Sequence, residues 1–139
     1  MSNPTKPTSQ EPVPRLRIAF PQLFVADVER AAHYYERLGF IIEYLYGAPP
    51  FYGLIARDGV GLNLRCVSAP PIDRSVPERD LLNANVVVDG VKALFLELRD
   101  RGAEFAQSLK EQPWGATDFV LRDSDGNLIC FASPVNAPV

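Results

Sequence analysis

The hydrophobic and polar positions of this chain change period repeatedly, and each change marks an element. From Arg15 the run "RLRIAFPQLFVA" reads as a strand. The next stretch, "DVERAAHYYERLGF", switches to helical spacing, with Val28, Ala31, Ala32, Tyr35 and Leu38 on one face. Asp27 suits the N-cap of this helix and Gly39 its stop. Three more strand-like runs follow, "IIEYLYG", "FYGLIARDG" and "VGLNLRCVS", with Asp58-Gly59 as a hairpin signal. The order is βαβββ.

The stretch "APPIDRSVPERDLL" (residues 69–82) has three prolines and mixed charge, and reads as a linker. The pattern then restarts. "NANVVVD" is strand-like, and "GVKALFLELRDRGA" places Val91, Leu94, Phe95 and Leu98 on one helical face before Gly102. "AEFAQSLK", "TDFVLRDSDG" and "NLICFAS" supply three more strands. An offset of 63 carries Val25 to Val88, Val28 to Val91 and Gly39 to Gly102. Arg57-Asp58 before Gly59 matches Arg122-Asp123 before Gly126, with two extra residues in the second turn. The pattern predicts an internal duplication. The expected fold is α+β: two βαβββ modules, 15–68 and 83–134, within a single domain of residues 15–139. Pairing the sheets would bury their apolar faces, with helices outside and a central cleft between curved, mixed sheets.

Composition narrows the function classes. The 139 residues are 47% hydrophobic and 22% charged, an ordinary balance for one globular domain. A net charge of -3 argues against a nucleic-acid partner, which calls for a basic face. Cys66 and Cys130 are too few for a disulfide framework, so the expectation is reduced thiols in the cytoplasm. Residues 1–14, "MSNPTKPTSQEPVP", contain four prolines and no apolar run, and read as a flexible arm rather than a secretory signal. No run is long and apolar enough to predict a membrane partner.

With the duplication in view, "FVADVERAAHYYERLGF" in the first module and "PWGATDFVLRDSDGNLICF" in the second carry a resemblance. The chain resembles the vicinal oxygen chelate superfamily of glyoxalases, bleomycin-resistance proteins and dioxygenases, over residues 15–134. "PWG" followed by an acidic residue, Phe and "RDSDGN" resembles its bleomycin-resistance branch most. In metal-dependent members four equivalent strand positions carry His, Glu or Gln. The resemblance carries these positions onto Phe20, Asn63, Asn83 and Cys130. Phe cannot ligate a metal, and neutral amides are poor ligands for a transition ion. The expectation is therefore no metal and no cofactor.

The remaining chemistry is sparse. Trp114, the only tryptophan, stands at a strand entrance where its ring can stack on a ligand or anchor the fold. Tyr44, Tyr46, Phe51 and Tyr52 surround "GAPP" and form an aromatic wall or strand packing. Asp123, Asp125 and Asn127 superficially suggest a calcium loop, but a turn held by local side-chain to backbone bonds fits better. His33 has no evident partner in the sequence and reads as a solvated helix residue. The leading expectation is metal-independent binding of a small, partly aromatic molecule that can be cationic, as in bleomycin-sequestering proteins. Trp114, Asp118, Phe51 and Tyr52 are the contact candidates, with Phe20, Asn63, Asn83 and Cys130 lining the base and no catalytic residue. The resemblance also implies a homodimer, for which open sheet edges supply a motive. The alternatives are a metal-dependent lyase, isomerase or dioxygenase, and a non-catalytic interaction module.

Overall fold

A computed structural model describes residues 12–139, and the expected arm lies outside the described residues as far as Glu11. The first module runs β1 (Gln22–Val25), α1 (Val28–Arg37), β2 (Ile41–Gly47), β3 (Pro50–Arg57) and β4 (Val60–Cys66). The second repeats the order as β5 (Ala84–Val87), α2 (Val91–Asp100), β6 (Glu104–Glu111), β7 (Thr117–Arg122) and β8 (Leu128–Ala132). Each module forms its own four-stranded mixed sheet, ordered β1-β4-β3-β2 and β5-β8-β7-β6. This is the predicted α+β architecture of two βαβββ modules.

The duplication holds down to register. In the parallel pairs, Gln22 lies opposite Asn63 and its counterpart Asn85 lies opposite Cys130. Each helix packs on the sheet of its own module. Asp27 caps α1 by accepting from Arg30 N–H at 3.0 Å, and Gly39 and Gly102 both leave their helices at positive φ. The β3–β4 hairpin turns through Asp58 and Gly59, both at positive φ, which is the geometry that an Asp-Gly pair favours.

One strand is shorter than its hydrophobic pattern suggests. The run from Arg15 to Ala26 pairs only over Gln22–Val25, while Leu16 is fully exposed and Ile18 is 64% exposed. Pro21 explains the late start: it has no N–H to donate, and the ladder opens with its carbonyl, which accepts from Asn63 N–H at 2.9 Å. The linker contains one short 3₁₀ turn at Glu78–Asp80. Glu78 anchors it to the second sheet by accepting from Arg122 Nε at 3.0 Å and Nη2 at 2.7 Å.

Strand alternation separates two environments. Leu23, Val25, Ile55, Leu62 and Leu64 of the first sheet share one core with Phe119, Leu121, Ile129 and Phe131 of the second, together with Val28, Tyr35, Val91 and Leu98 from the helices. The apolar sheet faces thus meet in a core that the helices help to build, rather than by sheet-on-sheet pairing alone. The alternate residues, including Leu54, Asn63, Asp118, Val120 and Cys130, occupy the opposite faces.

The β7–β8 turn ties the modules together. Asp123 Oδ1 accepts from the backbone N–H groups of Asp125 and Asn127 at 2.9 and 2.8 Å, the local turn bonding expected from sequence. Asp123 Oδ2 accepts from Tyr35 Oη of α1 at 2.7 Å and from Asn127 Nδ2 at 3.0 Å. Burial raises the Asp123 carboxyl above the ordinary aspartate value, and burial with the facing Asp123 holds the Tyr35 phenol well above its usual range. At the opposite junction Arg57 of β3 donates to both carboxylate oxygens of Glu97 on α2, at 2.8 and 3.0 Å.

Candidate functional site

Of the eight residues singled out in the sequence, Phe20, Asn83 and Trp114 lie just outside the strands, and the other five lie on the two sheets. On the first, Asn63 lies opposite Leu54 and Gln22. The Phe20 ring covers Gly61, where an added Cβ would lie 2.5 Å from it, so glycine there makes room for the aromatic ring. Tyr52 stands between Tyr46 and Arg65 on the neighbouring strands. Phe51 projects from the start of β3 and packs edge-on against Tyr46 at 5.5 Å. Asn63 Oδ1 is enclosed and has no hydrogen-bond donor among the described residues. An enclosed acceptor without a donor is an uncommon arrangement in a folded protein.

On the second sheet, Cys130 lies between Asn85 and Val120, and Asp118 stands beside it opposite Ala132. Val120, Leu128 and Cys130 form a small apolar cluster partly covered by Leu81 of the linker. Asn83 caps the edge of this face: its Oδ1 accepts from Leu128 N–H at 2.9 Å. Burial, and then the charge of Asp118, push the Cys130 thiol up to about 11, so it is a neutral thiol at neutral pH. Trp114 lies in the β6–β7 turn and is 61% exposed.

Asp118 has the most distinctive surroundings. It is only 6% exposed, yet among the described residues no Lys, Arg or His forms an ion pair with it, including Lys110 directly across on β6. Gln107 and Gln112 both donate from Nε2 to its Oδ1, at 2.7 and 2.9 Å. Oδ2 has no protein donor among the described residues and is not sealed from solvent. The two glutamines, which sequence reading passed over, fix the carboxylate and leave one oxygen to be filled. No periodicity reveals them; the β6–β7 pairing brings Gln107, and the turn between the strands brings Gln112, to Asp118.

Asn63 and Tyr52 thus belong to the first sheet and Asp118 and Cys130 to the second, and no hydrogen bond among the described residues joins the two sets. His33 is exposed, and its Nδ1 lies 3.0 Å from Glu36 Oε1, a partner one helical turn away that sequence reading had not paired with it. Cys66 is exposed and Cys130 buried, both as free thiols. No helix among the described residues is long and apolar enough to cross a membrane.

Comparison with known proteins places this geometry. A bleomycin-binding protein crystallised with bleomycin superposes with a TM-score of 0.69 at 22% identity, over 86% of this chain and 99% of that one. TioX from Micromonospora sp. ML1 gives 0.65 at 23% identity, over 81% and 94%. A glyoxalase-related enzyme from Clostridium phytofermentans gives 0.70 at 18% identity, over 90% and 100%. At these identities the likeness speaks for the fold alone. Among curated proteins, none matches. Residues 17–131, covering both modules, match the family model of the Glyoxalase/Bleomycin resistance protein/Dioxygenase superfamily, and the chain belongs to that superfamily.

Proposed function

We propose that this chain binds a small, partly aromatic, cationic molecule without a metal ion, as a cytoplasmic homodimer. The observation that carries the reading is Asp118, a nearly buried carboxylate that forms no ion pair among the described residues and has one oxygen without a protein donor. Burying an unpaired charge is costly, and two amide bonds offset only part of that cost. A cationic group on a ligand would complete the pairing. Trp114, four residues earlier in the chain, offers a face for stacking or for cation–π attraction. The bleomycin complex of a protein with the same fold agrees with a small-molecule role.

The residues at the superfamily's metal positions fit a metal poorly. Phe20 has no donor atom, Asn83 Oδ1 is engaged by Leu128 N–H, and the Cys130 thiol holds its proton at neutral pH. Asn63 Oδ1 is without a hydrogen-bond donor but is enclosed, and a neutral amide oxygen is a weak ligand for a transition ion. The homodimer is supported by Ile41, Tyr44, Tyr46 and Phe51, apolar or aromatic side chains that the first sheet leaves exposed.

A thermal-shift screen tests the reading with divalent metals, bleomycin and neutral and cationic aromatic compounds, because a ligand selective for the folded state raises Tm. The expected result is stabilisation by cationic aromatics that Asp118→Asn abolishes. Stabilisation by a divalent metal alone would favour the enzyme reading. No response to any compound would favour an interaction module.

A further inference from the structure

The two module junctions are built from equivalent elements but finished differently. At the first, β1 turns the N–H and C=O of Phe24 away from β4. The Asn127 carboxamide pairs with both: Phe24 N–H donates to Oδ1 at 3.3 Å, and Nδ2 donates to Phe24 O at 2.9 Å. Ala26 N–H donates to Asp125 Oδ1 at 2.9 Å, beside the start of α1. The repeat offset carries Phe24 to Val87 and Ala26 to Asp89. Val88 N–H donates inward to Ala132 O at 2.8 Å, so its neighbour Val87 directs its own polar groups outward, as Phe24 does.

At this second junction the plug is missing. The β3–β4 turn is two residues shorter, Val60 stands where Asn127 stands in the other turn, and Asp125 has no counterpart. Among the described residues no side chain bonds the outward groups of Val87 or the N–H of Asp89, and Gly90 gives α2 no side-chain cap. In the place of the plug lies a cavity of about 470 Å³, walled by Val60, Val86, Leu94 and Phe131.

We propose that this cavity is a second ligand site, taking a small neutral primary carboxamide carried on an aromatic or apolar body. The first junction shows which group this strand edge accepts: a carboxamide supplies one donor and one acceptor at the spacing of Val87 N–H and C=O. The apolar walls suit the rest of the molecule. Charge excludes the carboxylate analogue, because Asp58, Asp89 and Glu97 line the cavity and its one lining cation, Arg57, is already bound to Glu97.

Amide shift mapping of ¹⁵N-labelled full-length protein tests this with benzamide and benzoate as probes. Benzamide should give saturable shifts at Val87 and Asp89 with a Kd in the millimolar range, and benzoate should bind about tenfold more weakly or less. Val60→Asn supplies the carboxamide from the protein and should remove the response; Ala93→Phe, filling the cavity from α2, should do the same if the first variant does not fold. The proposal is overturned by an absence of saturable shifts at Val87 and Asp89, by equal responses to the two probes, or by undiminished benzamide binding in a folded plugged variant.

Discussion

Asp118 and Asp123 are both buried aspartates on β7 or its turn, and their neighbours give them different roles. Asp123 has its hydrogen-bond needs met from within the protein, by Tyr35, Asn127 and two backbone N–H groups. Asp118 is held at one oxygen and open at the other. Asp118→Asn should therefore weaken a cationic ligand by about 1.5–3 kcal/mol, the range for a charged hydrogen bond, and leave a neutral analogue nearly unaffected. Calorimetric titration of both ligands checks this. Trp114→Ala should weaken the same ligand by about 1 to 3 kcal/mol, as for loss of an aromatic contact. Because Trp114 is largely exposed, its loss should scarcely change Tm. Asp123 calls for a pH experiment. Its folded pKa lies above its unfolded value of about 3.9, so its contribution to stability is full below that value and is lost as pH rises through the folded pKa. Melts over this interval should show the Tm difference between wild type and Asp123→Asn moving in favour of the variant as pH rises. A difference independent of pH would contradict the burial argument.

Elements are legible in the sequence where a periodic pattern coincides with its own stop signals. Asp27 and Gly39 bound α1, Asp58-Gly59 closes β3 onto β4, and the repeat offset locates β5, α2 and β6 to within a residue, while the longer second turn carries β8 further along the chain. The pattern overstates the strand at Arg15–Pro21, where apolar residues alternate but Pro21 cannot donate to a ladder and no partner strand covers Leu16 or Ile18. The β7–β8 turn was read correctly as local bonding, but its long-range role was not legible. Nothing in "RDSDGN" shows that Asn127 reaches Phe24, a hundred residues away, or that Asp125 reaches Ala26. Those bonds depend on how one module docks on the other. Asn127→Ala should lower stability by about 1–3 kcal/mol, since it strips partners from Asp123 and from a part-buried strand edge. Denaturant unfolding measures this, and a change within about 0.5 kcal/mol, typical of a surface substitution, would show that the turn is not a fastener.

For the whole molecule, the duplication supplies two sheet faces turned away from the shared core, the second largely covered, and sequence divergence has given them different chemistry. One is aromatic with an unfilled acceptor at Asn63; the other carries the braced anion Asp118 beside a neutral thiol. The family could be read from motifs and repeat, and the residues at its metal positions could be named. What could not be read was how the two faces lie relative to each other, because that follows from packing between modules. A cationic ligand held by Asp118 and an aromatic ring needs no metal bridge, and this is the claim on which the functional reading rests. Its most direct test is calorimetric titration of chelator-treated protein with the best cationic aromatic ligand from the stability screen. The expected result is an unchanged Kd after chelation and no recovery effect on adding back zinc, iron or manganese. Binding that vanishes on chelation and returns with one metal ion per chain would contradict it.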